Sequence, residues 1–184
     1  MGECDPHPRY VRENPILKSY TPMTKQPLSP KQALEKAEKL CAKTEYAVFE
    51  IQTKLKQWGI GKEDSIGILF HLLKNKFLDD SRFAESYIRD KYRFCGWGKR
   101  KIVNGLYEKR VKKPIIDEAL ECIDAEEYKS VLVHFLETKL RTIKAETPRE
   151  LQQKLFRAAV ARGFETDLAV KVVKQVLADS EKGN

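Results

Sequence analysis

One spacing of apolar residues, repeated three times, limits what this chain can become. Ile51, Leu55, Ile60 and Leu73 are matched by Ile102, Leu106, Val111 and Ile123, and again by Leu155, Ala159, Phe164 and Val176, a period of 50 to 53 residues. The first helix, at Ala33, Leu34, Ala37, Leu40 and Cys41, shows the three- and four-residue spacing of one buried helical face, and no segment shows the period-two alternation of a strand. A unit of this size cannot hide its apolar face alone, so consecutive units bury theirs partly against one another. The expected fold is all-α: three tandem three-helix repeats forming an elongated, curved array.

Local signals place the helices. Ser29 is a good N-cap and Pro30 suits the first helical position; Thr147-Pro148-Arg149-Glu150 has the form of a capping box; Asp124 with Glu127 makes a similar start; Asp79 stands where another helix needs its cap. Gly59 and Gly163 fall where the middle helix of a unit ends and a left-handed residue is wanted, and Arg110 takes that place in the second unit. The predicted helices are 30–43, 47–58 and 62–74, then 80–94, 98–110 and 114–123, then 125–145, 148–162 and 167–179. The corresponding domains are an extended, mobile, proline-rich arm at 1–28, repeats at 29–75, 76–123 and 124–179, and a tail at 180–184. Asn104-Gly105 resembles a hairpin turn, but Ile102, Leu106 and Arg110 continue the helical period around it, so it is assigned to helix interior.

Several classes of chemistry lack their residues. The four cysteines are scattered without a CxxC pair; Cys4 and His7 have no second pair to complete a zinc site; Cys41 and Cys122 are expected to be buried apolar residues, and His71 and His134 to be partly buried. Adjacent Asp79 and Asp80 point about 100° apart on a helix, a poor metal pair. There is no phosphate loop and no Ser, His and acid grouping. The expectation is a non-enzyme without metal or cofactor. No apolar run approaches the ~18–20 residues of a membrane span, and the first ten residues lack the apolar core of a secretory signal, so a cytoplasmic protein is expected.

Charge points to binding. From Arg89 to Lys113 ten Lys or Arg face two acids, a balance of +8 that equals the formal charge of the whole chain. Arg82, Ser86, Arg89 and Arg93 align at 4, 3, 4 spacing opposite the apolar stripe of Phe83, Ala84, Tyr87 and Ile88. The Gly96-Trp97-Gly98 turn then sets Lys99, Arg100 and Lys101 at a helix N-terminus, where cations oppose the dipole unless something negative lies close by. Trp97 can stack on a base or a protein partner, or simply pack the turn. The third helices of the second and third units, PIIDEALECI and DLAVKVVKQVL, lack the Arg, Asn and Gln of a base-reading helix, so sequence-specific DNA readout is not expected.

The run Leu78-Asp79-Asp80, Phe83-Ala84, Ile88-Arg89, Gly96-x-Gly98, Lys101-Ile102, Leu106 and Lys109 resembles the signature of the RecX regulatory proteins, modulators of the RecA recombinase. Glu50-Ile51, Lys54-Leu55 and Gly59-Ile60 resemble the family's first unit, and Ala161-Arg162-Gly163-Phe164 its last, more loosely; the likeness covers about residues 30–178. The chain departs from the pattern at Ala47, where a serine is usual and Thr44 is the nearest substitute cap, at Arg110 in place of glycine, and at Lys101 in place of arginine. The resemblance implies a monomer with no catalytic activity. It also implies binding to the RecA filament on single-stranded DNA, restraining filament growth, ATP hydrolysis, strand exchange and co-protease activity. The expected contact residues are Arg82, Arg89, Arg93, Trp97, Lys99, Arg100, Lys101, Lys109 and Arg110. The alternative is a helical DNA-binding module that acts without RecA.

Overall fold

The computed structural model describes residues 28–182. Among them are nine helices and no strand: α1 (Pro30–Cys41), α2 (Val48–Gln57), α3 (Lys62–Lys74), α4 (Asp80–Arg93), α5 (Lys99–Glu108), α6 (Lys113–Leu120), α7 (Ala125–Leu140), α8 (Pro148–Ala161) and α9 (Thr166–Lys182). They group as three-helix repeats. The proposed arm, with Cys4 and His7, lies outside the described residues except for Leu28, and so do residues 183 and 184 of the proposed tail. α9 runs to Lys182, past the expected end at 179, because no glycine or proline interrupts it before Gly183. α7 stops at Leu140, short of the expected 145.

The expected caps form. Ser29 and Gln32 make a reciprocal capping box, Asp79 Oδ1 accepts from the N–H groups of Ser81 and Arg82, Asp124 Oδ1 from Glu127, and Thr147 Oγ1 from Glu150. Gly59, Arg110 and Gly163 all turn left-handed, at φ 79°, 58° and 89°. α2 corrects the expectation at Ala47. Thr44 does not cap it; the Val48 N–H donates instead to Asp80 Oδ1 at 2.9 Å, and Glu50 Oε2 accepts from the Ala47 N–H at 3.1 Å. Asp79 and Asp80 therefore cap two different helices, one within its own repeat and one in the repeat before.

Leu72, not Leu73, belongs to the repeating set. Leu72 is fully buried whereas Leu73 is 45% exposed, and with that change the four positions of each repeat share one spacing. One residue is about 100° on a helix, and two adjacent leucines leave the choice open in the sequence. Cys122 is exposed and Cys95 buried, the reverse of the expectation for Cys122; Cys41 is half-buried, its thiol pushed up to about 11, chiefly by burial and next by Glu45. His71 is partly buried against Glu38 at 2.9 Å, while His134 is exposed. Gly105 lies inside α5 as expected, and the reason is contact: a Cβ there would stand 2.3 Å from the Tyr87 hydroxyl.

Two apolar cores result. Ala33, Ala37, Ile51, Leu55, Ile68, Leu72 and Leu78 form the core of the first repeat. The second and third repeats share the other, in which Phe83, Ile88, Ile102 and Leu106 of one run into Tyr128, Leu132, Leu155 and Phe164 of the other. Across the first joint, among the described residues, Ala47 alone of the first repeat enters the shared core, and hydrogen bonds and ion pairs link the two repeats there.

Candidate functional site

The basic middle repeat is held at both ends, and its cations divide accordingly. Arg82 leaves the first turn of α4 and reaches back to the first repeat: its Nε donates to Glu45 Oε1 at 2.6 Å and its guanidinium to the Lys76 carbonyl at 3.1 Å. Lys109 pairs with Glu50, and the Arg110 guanidinium lies 4.3 Å from the centre of the Phe49 ring. These three side chains close the joint between repeats 1 and 2. Each reaches a partner from α2 or the loop before it, so the sequence feature that looked like an outward basic face is partly an internal seam.

The other end is built differently. Gly98, the N-cap of α5, has no side chain to offer, and all four N–H groups that a helix start leaves orphaned are satisfied, three of them from outside the helix. Gly98 N–H donates to the Arg162 carbonyl at 2.9 Å, Lys99 N–H to the Tyr128 hydroxyl at 2.7 Å, Arg100 N–H to the Gly163 carbonyl at 3.1 Å, and Lys101 N–H to the Gly98 carbonyl at 3.1 Å. The C-terminal end of α8 thus meets the N-terminal end of α5, negative end to positive end. The conflict between Lys99, Arg100, Lys101 and the helix dipole is relieved inside the chain, so it does not by itself call for an external anion. Both glycines at this contact are required: a Cβ on Gly98 would fall 2.1 Å from the Phe164 nitrogen, and one on Gly163 2.5 Å from the Lys101 Cβ.

Side chains around this contact are also engaged. Arg93 forks onto Glu127 at 2.7 and 2.8 Å, and the Tyr92 hydroxyl donates to the same carboxylate. Arg93, and Tyr92 after it, hold the Glu127 carboxyl below its usual range, and the same contact raises the guanidinium of Arg93. The Tyr128 hydroxyl donates to Glu165 at 2.8 Å, and burial pushes its pKa well up. The Lys99 ammonium stands 5.2 Å from the Tyr128 ring. Trp97 is partly buried against the shared core, with Lys91 at 4.8 Å and Lys101 at 4.3 Å from its ring centre. It packs the turn and presents a cation on either side of itself.

Of the eight cations singled out from sequence, only Arg89 and Arg100 have side chains that make no ion pair, hydrogen bond or ring contact among the described residues, and both are exposed. What sequence reasoning missed was the set of acids and the tyrosine that engage the rest: Glu45, Glu50, Glu127 and Tyr128. Glu50 and Glu127 carry a capping signal, but nothing local marks them as partners of residues 59 and 34 positions away. Among the described residues there is no group of three or more His, Cys, Asp or Glu that could hold a metal, and no helix long and apolar enough to cross a membrane.

Comparison with known proteins agrees with this architecture. The family model for the second three-helix domain of RecX matches residues 79–120, and that for the third three-helix domain matches 126–173. The regulatory protein RecX of Clostridium beijerinckii is 31% identical over 146 residues, covering 78% of this chain and 68% of its own length. That of Finegoldia magna is 32% identical over 127 residues, 67% of this chain and 61% of its own length, and that of Lactobacillus johnsonii aligns over 48% of its length. The chain therefore spans about half to two thirds of these relatives. The crystal structure of RecX from Lactobacillus salivarius superimposes with a TM-score of 0.72 at 19% identity, covering 80% of this chain and 96% of that one. A second crystal structure of a regulatory protein RecX gives 0.70 at 22% identity, over 77% of this chain and 71% of that one. Those two share the fold; the closer sequence relatives carry the kinship, and the chain belongs to the RecX family of regulatory proteins.

Proposed function

We propose that this protein regulates a RecA recombinase by binding its filament on single-stranded DNA, restraining filament growth, ATP hydrolysis, strand exchange and co-protease activity. The observation that carries the reading is the +8 balance between Arg89 and Lys113, set on a middle repeat that is braced on both sides. Arg89 and Arg100 are the primary contact charges, because nothing among the described residues pairs with their side chains. Lys99, Lys101 and Trp97 support them from the turn. Arg82, Arg93, Lys109 and Arg110 contribute field rather than first contact, since each is already engaged with a carboxylate or ring.

The test is ATP hydrolysis by the cognate RecA on single-stranded DNA, with this protein titrated from far below RecA to parity. Inhibition is expected, and inhibition well below one-to-one means capping of growing ends. The double substitution Arg89→Ala with Arg100→Ala should weaken the effect while leaving the melting temperature unchanged, because neither side chain holds the fold. If the two charges face phosphate, the salt slope of binding falls by about 0.7 per lost contact on single strands. No effect of the protein on RecA, with retained binding to bare DNA, overturns the reading in favour of a stand-alone DNA-binding module.

A further inference from the structure

We propose that α3 is a self-association face: two copies of this chain pair their α3 helices antiparallel about a two-fold axis, each seating Phe70 over Gly67 of the other. The inference does not depend on the proposed function and departs from the monomer implied by the family resemblance.

The face is apolar where the fold does not need it to be. Ile68 and Leu72 supply the inward stripe of α3, while Ile66, Phe70 and Leu73 stand 60%, 67% and 45% exposed on the opposite side. At the corresponding positions the second repeat carries Asp117, Glu121 and Asp124, and all three are exposed. A three-helix unit of this kind therefore tolerates charge throughout that surface. Three large apolar side chains at four- and three-residue spacing make a strip of the kind that marks an interaction site, which singly scattered ones do not.

Gly67 is the second, independent observation. It lies inside a helix, where glycine is less favourable than alanine by about 1 kcal/mol. Unlike Gly98 and Gly105, nothing among the described residues explains it: a Cβ there meets no atom within 4 Å. Glu118 and Lys171 occupy the equivalent sites of the other repeats. A glycine that leaves open space on an exposed face, one turn from a protruding Phe70, is a hole beside a knob.

The order of residues says what fills it. In an antiparallel pair, opposed residues lie at equal distances on either side of the axis. Gly67 with Phe70 and Glu63 with Lys74 share one midpoint, between Ile68 and Leu69, as an isologous contact requires. Large then opposes small, and acid opposes base, at both ends of the same crossing. Glu63 and Lys74 are exposed and neither makes an ion pair among the described residues. Ile66 and Leu73 extend the strip along one side of the seam. One helix face is smaller than the ~800 Å² each partner buries in a standard interface, so the dimer is a reversible one, dissociating in the range of roughly tens to hundreds of micromolar.

The experiment is sedimentation equilibrium of the full chain from about 10 to 500 µM, the range in which such an interface titrates. A monomer–dimer equilibrium is expected, and Phe70→Glu should abolish it while retaining helicity. Gly67→Ala separates contact from folding: it should raise the melting temperature, because the helix gains, yet weaken the dimer at least tenfold. Glu63→Lys alone and Lys74→Glu alone should each self-associate less than the parent. An equimolar mixture of the two should pair again, because only the antiparallel mixed dimer opposes unlike charges at both ends. A chain that stays monomeric throughout, or a dimer indifferent to Gly67→Ala, overturns the proposal. So does a Phe70→Glu variant that loses its effect on RecA while the parent never dimerises, which would give the face to another protein.

Discussion

Replacing Gly98 with alanine tests whether the middle and last repeats are joined backbone to backbone. Gly98 sits at φ −79° and ψ 160°, a conformation open to any residue, so alanine introduces no torsional strain and even narrows the unfolded ensemble, worth about 0.4–1 kcal/mol in its favour. Against this, its Cβ would lie 2.1 Å from the Phe164 nitrogen, 2.2 Å from the Gly163 carbonyl carbon and 2.3 Å from its oxygen. A relaxed contact needs ~3.5–4.0 Å, and no side-chain rotamer can yield, because every colliding atom is backbone. The turn must back away by about 1.5 Å, which adds overpacking strain of about 1–3 kcal/mol and breaks two hydrogen bonds worth about 1 kcal/mol each. The net loss is about 3 kcal/mol, or roughly 6–12 °C in melting temperature for a chain of this length. Denaturant unfolding by circular dichroism reads it directly. Gly61→Ala is the matched control: it too replaces an extended N-cap glycine, but its nearest neighbour would be the Asp64 carboxylate at 3.9 Å, and it should change stability by less than about 0.5 kcal/mol. A Gly98→Ala protein as stable as the parent would refute the close contact between α5 and the end of α8.

Other substitutions probe the remaining joints. Gly105→Ala should destabilise through the Tyr87 hydroxyl, and Tyr87→Phe should rescue it, leaving the double variant better than Gly105→Ala by at least about 1 kcal/mol in a double-mutant cycle; simple additivity would contradict the contact. Asp80→Ala should cost about 1 kcal/mol by uncapping α2 across the joint, as loss of any N-cap does. Burial pushes the Asp80 carboxyl above its ordinary value, against the pull of the Val48 N–H, so the stability it contributes is full below the usual carboxylate range and declines as pH rises through the raised value. Asp80→Asn, which keeps the acceptor, should therefore equal or exceed the parent at pH 7 and lose any advantage in acid; a marked loss at pH 7 would contradict this balance. Finally, Trp58 reports the first core and Trp97 the shared one, so Trp58→Phe and Trp97→Phe proteins should show two urea transitions, and raised salt should lower only the one seen by Trp58. A single, salt-independent transition would mean that the joint is not held by its ion pairs.

Whatever depends on residues within one helical turn could be read from the sequence. Ser29, Asp79, Asp124 and Thr147 cap helices where expected, and Arg110 takes the left-handed place of a glycine, because each of these choices is settled within about four residues. The charge surplus was legible too, but not its disposition. Whether Arg82 or Lys109 faces outward depends on Glu45 and Glu50, which fold back from 37 and 59 residues away. The same distance hid the cap of α2, supplied by Asp80 from 32 residues on, and the approach of Gly98 to Gly163. Long-range pairing is what distinguishes a structural cation from a contact cation, and periodicity carries no information about it.

The head-to-tail meeting of α8 and α5 also sets an order in time. Synthesis runs from the N-terminus, so α5 leaves the ribosome before the Tyr128 hydroxyl and the carbonyls of Arg162 and Gly163 that receive its first amides exist. Through the translation of some sixty further residues, Lys99, Arg100 and Lys101 surround a helix end with no internal counterpart. The second repeat is thus second to emerge but is completed only while the third is being made, and a chain that stalls before Gly163 carries its basic centre unfinished.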